Sequence, residues 1–416
     1  MVTLLVLAAQ LIIASPAPPP EPAPAPAPST LTLAAAVAQA RASSPRTVAA
    51  GHVVEGTREA FRTAGRLPNP LFELMTENWR PGARTSTPGL DVFAVVTQPL
   101  ELGGKRALRR QLAASEYQLA EGVRLALERQ VAIDTVHAYV QALRARGLVE
   151  ALEANRDGLS VLVGSVARRV EEGYTAEADV LKLRTEAARI EADIVRARLE
   201  LDRSLAALAV AIGSSVAIDP AQIAEPPPVP VPAADTTLIT ARVAAHPQAQ
   251  AAAAAADRAR QLAAYERARR LPDPAVSGGY KRTSGIDTAV LGVTVSIPLF
   301  DRNDSAAARA AGLERSAAAE RAAVVRQLDI ETAALVRAAQ TLAERASRTP
   351  RDLLAPAEEV RRSALSAFRE GATDILKLID AERVYVDVRR AAIDLRLEAL
   401  LAAIEARLAL GEEALP

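Results

Sequence analysis

The feature that most constrains this chain is that it says the same thing twice. RLPNP stands at 66–70 and RLPDP at 270–274, so Pro68 and Pro70 recur as Pro272 and Pro274. Each half opens with an Ala-rich amphipathic stretch holding an X-Pro, at Pro45 and Pro247. Two segments of strand character follow the double proline, and the second ends in Pro-Leu both times, at Pro99 and Pro298. A long charged, Ala/Leu-rich stretch comes next, then a glycine break and a last helical stretch. A repeat on this scale requires a fold made of two equivalent units.

The helical stretches are too long for a globule. The spacing predicts one helix over 104–172 and a similar one over 305–370; each would be roughly 100 Å long at 1.5 Å per residue. The shorter helices, about 30–67 with 179–211 and about 235–271 with 374–411, match those lengths when laid end to end. Such an arrangement is a tall helical wall. Leu119, Val123, Leu127 and Val131 recur every four residues as a packing seam.

The strand segments lie near 70–99 and 274–299. In TAVLGVTVSIP, Leu291, Val293, Val295 and Ile297 share one face, and Val290, Gly292, Thr294 and Ser296 the other. One apolar and one small or polar face suits a barrel wall between lipid and water. LDVFAVVTQP is apolar on both faces, and Trp79 and Tyr280 stand where an interface would hold aromatic rings. Proline cannot continue a helix and pushes its predecessor out of the helical region. Pro68, Pro70, Pro99, Pro272, Pro274 and Pro298 therefore read as joints between helices and a barrel. Four strands per chain fall short of a membrane barrel; two chains supply eight, and three supply twelve, enough for a passage.

Composition agrees. Half the residues are apolar but only 3% aromatic, and 50 basic residues balance 50 acidic ones, which excludes a global field for nucleic acid. With no cysteine there are no disulfides, thiolate metal sites or cysteine nucleophile in these residues, and a lipidated amino terminus is not expected. Residues 1–17 read as a signal peptide and 18–29 as a Pro/Ala-rich spacer; 30–223 and 236–412 are the repeats, joined by a Pro-rich linker over 224–235. No later stretch is long and apolar enough for a transmembrane helix.

The paired LPNP and LPDP, the strand ends QPLELGGKR and IPLFDRND and the glycine turns resemble the outer membrane factors, the TolC-like exit ducts of efflux and secretion systems. TQPLELGGKRALRR looks like their heavy-metal cation efflux branch, the CzcC-like proteins. The resemblance implies a homotrimer in the outer membrane of a Gram-negative bacterium, with a twelve-stranded barrel in lipid and a long α-barrel in the periplasm. It implies as partners a periplasmic adaptor (membrane fusion protein) and an inner-membrane pump of the resistance-nodulation-division type. It implies no enzyme and no cofactor.

No catalytic or metal-binding constellation stands out: His52, His137 and His246 are scattered and read as surface or packing residues. Lys105, Arg106, Arg109 and Arg110 open a helix against its dipole and read as a solvated face, with permeant selection as the alternative. The turns near 173–178 and 371–374 correspond to the family's periplasmic tip, where the duct closes and the adaptor docks. Gly173, Asp179, Gly371, Asp374, Lys377 and Asp380 are the candidates there. The family pattern matches Asp179 and Asp380 to gate positions, whereas DVLKL and DILKL pair Asp179 with Asp374. Repeated round a three-fold axis, such carboxylates would favour cations, though Lys377 breaks a purely acidic ring. A duct for drugs or secreted proteins, and a periplasmic coiled-coil adaptor, are the competing functions.

Overall fold

The computed structural model describes residues 30–78, 90–233 and 235–412. Trp79, the signal segment and the spacer lie outside the described residues. The first half runs α1 (Leu33–Ser43), α2 (Pro45–Thr63), β1 (Leu71–Glu77), β2 (Asp91–Pro99), α3 (Lys105–Glu171) and α4 (Glu177–Ala211). The second runs α5 (Thr236–Ala244), α6 (Pro247–Ala268), β3 (Pro274–Thr283), β4 (Ile286–Val295), α7 (Asp304–Thr349), α8 (Ala355–Arg369) and α9 (Ile375–Ala409). The four strands form one antiparallel sheet in the order β1-β2-β3-β4, so the halves join through the pairing of β2 with β3.

Local chemistry sets the boundaries. Thr32 caps α1, its hydroxyl accepting from the Ala35 amide. Pro45 and Pro247 occupy first-turn positions, where a missing N–H costs nothing. They also split two of the four predicted shorter helices into pairs: α1 with α2, and α5 with α6. The long helix of the first half is continuous for 67 residues. Its counterpart is not. Pro350, which has no N–H to give, lies at the start of a π-helical turn, Pro350–Leu354, that separates α7 from α8.

The predicted seam is also corrected. Val131 is buried, but Val123 is 49% exposed. Near the sheet α3 meets α6 through small residues instead: a Cβ on Gly122 would stand 3.1 Å from Ala251 Cα. Lower down, Val136, Tyr139, Val140 and Leu143 of α3 share one apolar core with Leu183, Ile190 and Ile194 of α4 and Leu397 and Ile404 of α9. The linker is held against this core. The fully buried Tyr139 offers its hydroxyl to the carbonyls of Leu31 (2.8 Å) and Ala224 (2.6 Å). Arg146 donates to the Ile223 carbonyl at 2.6 Å, and Arg396 pairs with Glu225 at 2.9 Å.

Candidate functional site along the sheet, the joint and the tip

The sheet has two unlike faces. By register, Phe72, Leu74, Val96, Val276, Leu291 and Val293 lie on one face. Leu291 is 88% exposed and Val293 71%, values that suit lipid rather than water. Ile297 and Ser296 fall beyond β4. The opposite face carries Glu73, Glu77, Thr97, Ser277, Lys281, Thr288 and Thr294. Lys281 Nζ lies 4.9 Å from the centre of the Phe93 ring, a cation–π contact. Only glycine fits position 279, where a Cβ would stand 2.2 Å from the Ala94 carbonyl oxygen.

At the joint, Pro68 and Pro70 separate α2 from β1, Pro272 precedes β3, and Pro274 is its first residue. Pro99 ends β2, and Pro298 follows β4. The basic run after Gly104 is only in part a solvated face: Arg106 and Arg110 are exposed, but the run is tied to its surroundings. Lys105 is buried, donates to the Leu271 carbonyl at 2.6 Å and pairs with Asp273 at 2.7 Å. Arg106 donates to Gly65 O at 2.6 Å. Arg109 donates to Ala64 O and Arg66 O, both at 2.7 Å, and is bound by Glu101. These guanidiniums cover the carboxyl end of α2, where free carbonyls and the negative dipole end favour cations. Read along the chain, the charges oppose the start of α3; only the fold shows the helix end they serve.

At the far end each half turns back through a glycine. Gly173 and Gly371 have φ of 83° and 75°, the left-handed region that favours glycine. Both turns carry the same pair of bonds: Tyr174 N–H to Arg169 O and Gly173 N–H to Val170 O in one, Ala372 N–H to Ala367 O and Gly371 N–H to Phe368 O in the other. The Arg169 guanidinium also reaches Arg369 O at 3.4 Å, so the two tips lie side by side.

This common geometry supplies a register that differs from both sequence alignments. The helix caps, Ala176 and Asp374, each follow the turn glycine by three residues. Asp374 caps α9 by accepting from the Lys377 amide at 3.0 Å. Counting from the glycines, the sixth residue is Asp179 in one half and Lys377 in the other, and the ninth is Lys182 and Asp380. Asp179 pairs with Lys182 at 3.1 Å; Lys377 and Asp380 are exposed.

Just above lies a cluster that sequence reasoning missed. Glu186 is buried and accepts from Arg189 at 2.7 Å and from Arg383 of α9 at 3.1 Å. Burial pushes its carboxyl up, but the two guanidiniums outweigh that and hold it below the usual range. Neighbouring Glu382 goes the other way: burial raises it, and Arg361 at 3.8 Å offsets only part. A carboxylate at 186 and a guanidinium at 383 carry no local sign of being partners. His137 likewise pairs with Glu405 at 2.6 Å, and His246 caps α6 through the Gln248 amide at 3.1 Å.

The chain belongs to the outer membrane efflux protein family, whose model matches residues 36–214 and 238–412. It is an outer-membrane channel protein with a periplasmic helical extension, not an enzyme. Among characterised relatives it is 28% identical to the cobalt-zinc-cadmium resistance protein CzcC of Cupriavidus metallidurans over 347 residues, 80% of this chain and 79% of that one. It is 27% identical to the nickel-cobalt-cadmium resistance protein NccC of Alcaligenes xylosoxydans xylosoxydans over 256 residues, 59% of this chain and 57% of the relative. The fold matches the Vibrio cholerae outer membrane protein VceC, with a TM-score of 0.75 at 21% identity over 91% of this chain and 96% of that one. It matches equally the open-state MtrE channel of Neisseria gonorrhoeae, with a TM-score of 0.75 at 16% identity over 91% and 88%.

Proposed function

We propose that this protein is the outer-membrane duct of a tripartite efflux system, conducting heavy-metal cations passively from periplasm to exterior. The observation that carries the substrate class is the similarity to CzcC across four-fifths of both chains. Three copies would close the four-stranded sheet into a twelve-stranded barrel in outer-membrane lipid. The tips holding Gly173 and Gly371 would form the periplasmic gate and meet a periplasmic adaptor, itself seated on an inner-membrane pump of the resistance-nodulation-division type. Substrate choice would rest mainly with that pump, and the duct would supply the path.

Deletion of the gene in its host tests this. The expected result is sensitivity to divalent cobalt, zinc or cadmium with raised cellular metal, reversed by the intact gene. Unchanged metal tolerance with new sensitivity to drugs, or a lost secreted protein, would replace the metal reading with one of those ducts.

A further inference from the structure

A channel for cations needs unbalanced negative charge somewhere along its water-lined path. The tip supplies some at the helix starts, where Asp374 and Glu177 have no basic counterpart at the same count from the glycines, but none at the next two charged levels. At the sixth position Asp179 is matched by Lys377, and at the ninth Lys182 is matched by Asp380. Each level sums to zero in one chain, and therefore in any ring of chains.

The polar face of the sheet is different. Its described charges are Glu73, Glu77, Asp91 and Lys281. Asp91 is buried and occupied, accepting from Ser284 N–H at 2.9 Å and Asn78 Nδ2 at 3.2 Å. Lys281 is drawn onto Phe93. Across the sheet from Glu73 run Val95, Gly279 and Val290, none of them charged. Glu73 and Glu77 are both exposed, and their neighbours Phe72, Leu74 and Thr76 point to the opposite face.

We infer that Glu73 and Glu77 make the barrel a cation-selecting segment of this channel in its own right, in addition to the acidic Asp374 and Glu177 at the tip. The two glutamates act through their field on the water-filled path, not as a ligand shell. The inference rests on the chain being a channel, not on its cargo being a metal.

The experiment is the reversal potential of the reconstituted full-length protein in planar bilayers under a potassium chloride gradient. The intact channel should prefer cations. Glu73→Gln with Glu77→Gln should lower the cation-to-anion permeability ratio severalfold, whereas removing a balanced tip pair together, Asp179→Asn with Lys377→Gln, should leave it nearer the intact value. High salt should shrink the difference, because exposed charges are screened within about 8–10 Å at physiological ionic strength. An intact channel without cation preference, or one whose preference survives loss of both glutamates unchanged, would overturn the inference.

Should the double glutamine variant fail to insert, facing can be read separately, because the chain has no cysteine of its own. Glu73→Cys should react with a cationic thiosulfonate added to the open channel, changing its conductance, and Phe72→Cys should not. The reverse pattern would place Glu73 on the lipid face and end the proposal. Failure of metal resistance would leave all these readings intact, so the two proposals fail separately.

Discussion

The two long descending helices do the same task in different ways. α3 is one uninterrupted rod from the joint to the tip, and its first turn grips the end of α2. The second half covers a similar span with α7, a π-helical turn and α8. Pro350 stands 21 residues before Gly371; the residue 21 before Gly173 is Leu152, buried in the core. The same height in the wall thus holds an apolar packing residue in one half and a helix interruption in the other. Length alone is what the wall demands of both helices. α3 packs on α4, α6 and α9, and α7 on α5, α6 and α9, yet only α3 does so without a break down to the tip.

The sharpest way to break this contrast is to give α3 the interruption. Leu152→Pro should cost about 3 kcal/mol or more from the backbone alone, plus the lost core contacts, and should prevent assembly. Pro350→Leu should be tolerated. Yield of the membrane-extracted oligomer measures both, and equal damage from the two would show that the π-helical turn is as necessary as the rod.

A smaller effect separates the glycines of the two rods. Gly122→Val would drive a branched side chain into Ala251 and should cost about 1–3 kcal/mol, the range for overpacking. At Gly312 of α7 an added Cβ meets nothing within 4 Å and valine is the better helix former, so Gly312→Val should be neutral or slightly stabilising. Thermal denaturation of the two variants gives the ranking, and a Gly312 variant as unstable as the Gly122 one would contradict the close α3–α6 approach.

The smallest difference lies at the matching X-Pro sites. Ser44 before Pro45 has no titrating group; His246 before Pro247 has one. Burial, with Arg129 nearby, lowers the His246 imidazole from its usual 6.5 to about 4. Its folded-state value is depressed, so the unfolded chain takes the proton first. Its stabilising contribution is present above about pH 6.5 and is lost as pH falls towards 4, at about 1 kcal/mol by pH 6. Hydrogen-exchange protection, corrected for intrinsic rates, should fall at the start of α6 and hold at the start of α2. His246→Asn keeps a capping oxygen and should remove the acid sensitivity.

What could be read from the sequence was whatever repeats or breaks locally. The paired prolines located the helix–strand boundaries, the alternation of Val293 and Thr294 gave the faces of β4, and the glycines marked the turns between helices. What stayed hidden depended on distant partners. Pro350 stands in plain view inside the predicted 305–370 helix, but charge periodicity running on through it hides the π-helical turn there. Arg106 and Arg109 look misplaced until α2 arrives beside them. The alignment of DVLKL with DILKL favoured one pairing of aspartates; the turn bonds count from the glycines and pair each with a lysine. Similar letters fixed one register, and backbone geometry another.

Tyr139 has one further consequence, which concerns the order in which an exported chain arrives in the periplasm. Its hydroxyl meets Leu31, at the start of the first repeat, and Ala224, where the linker begins. Every participant in that closure therefore emerges before α5. The first repeat can draw its two ends together while the second is still crossing the inner membrane, offering β2 as an edge for β3 to join.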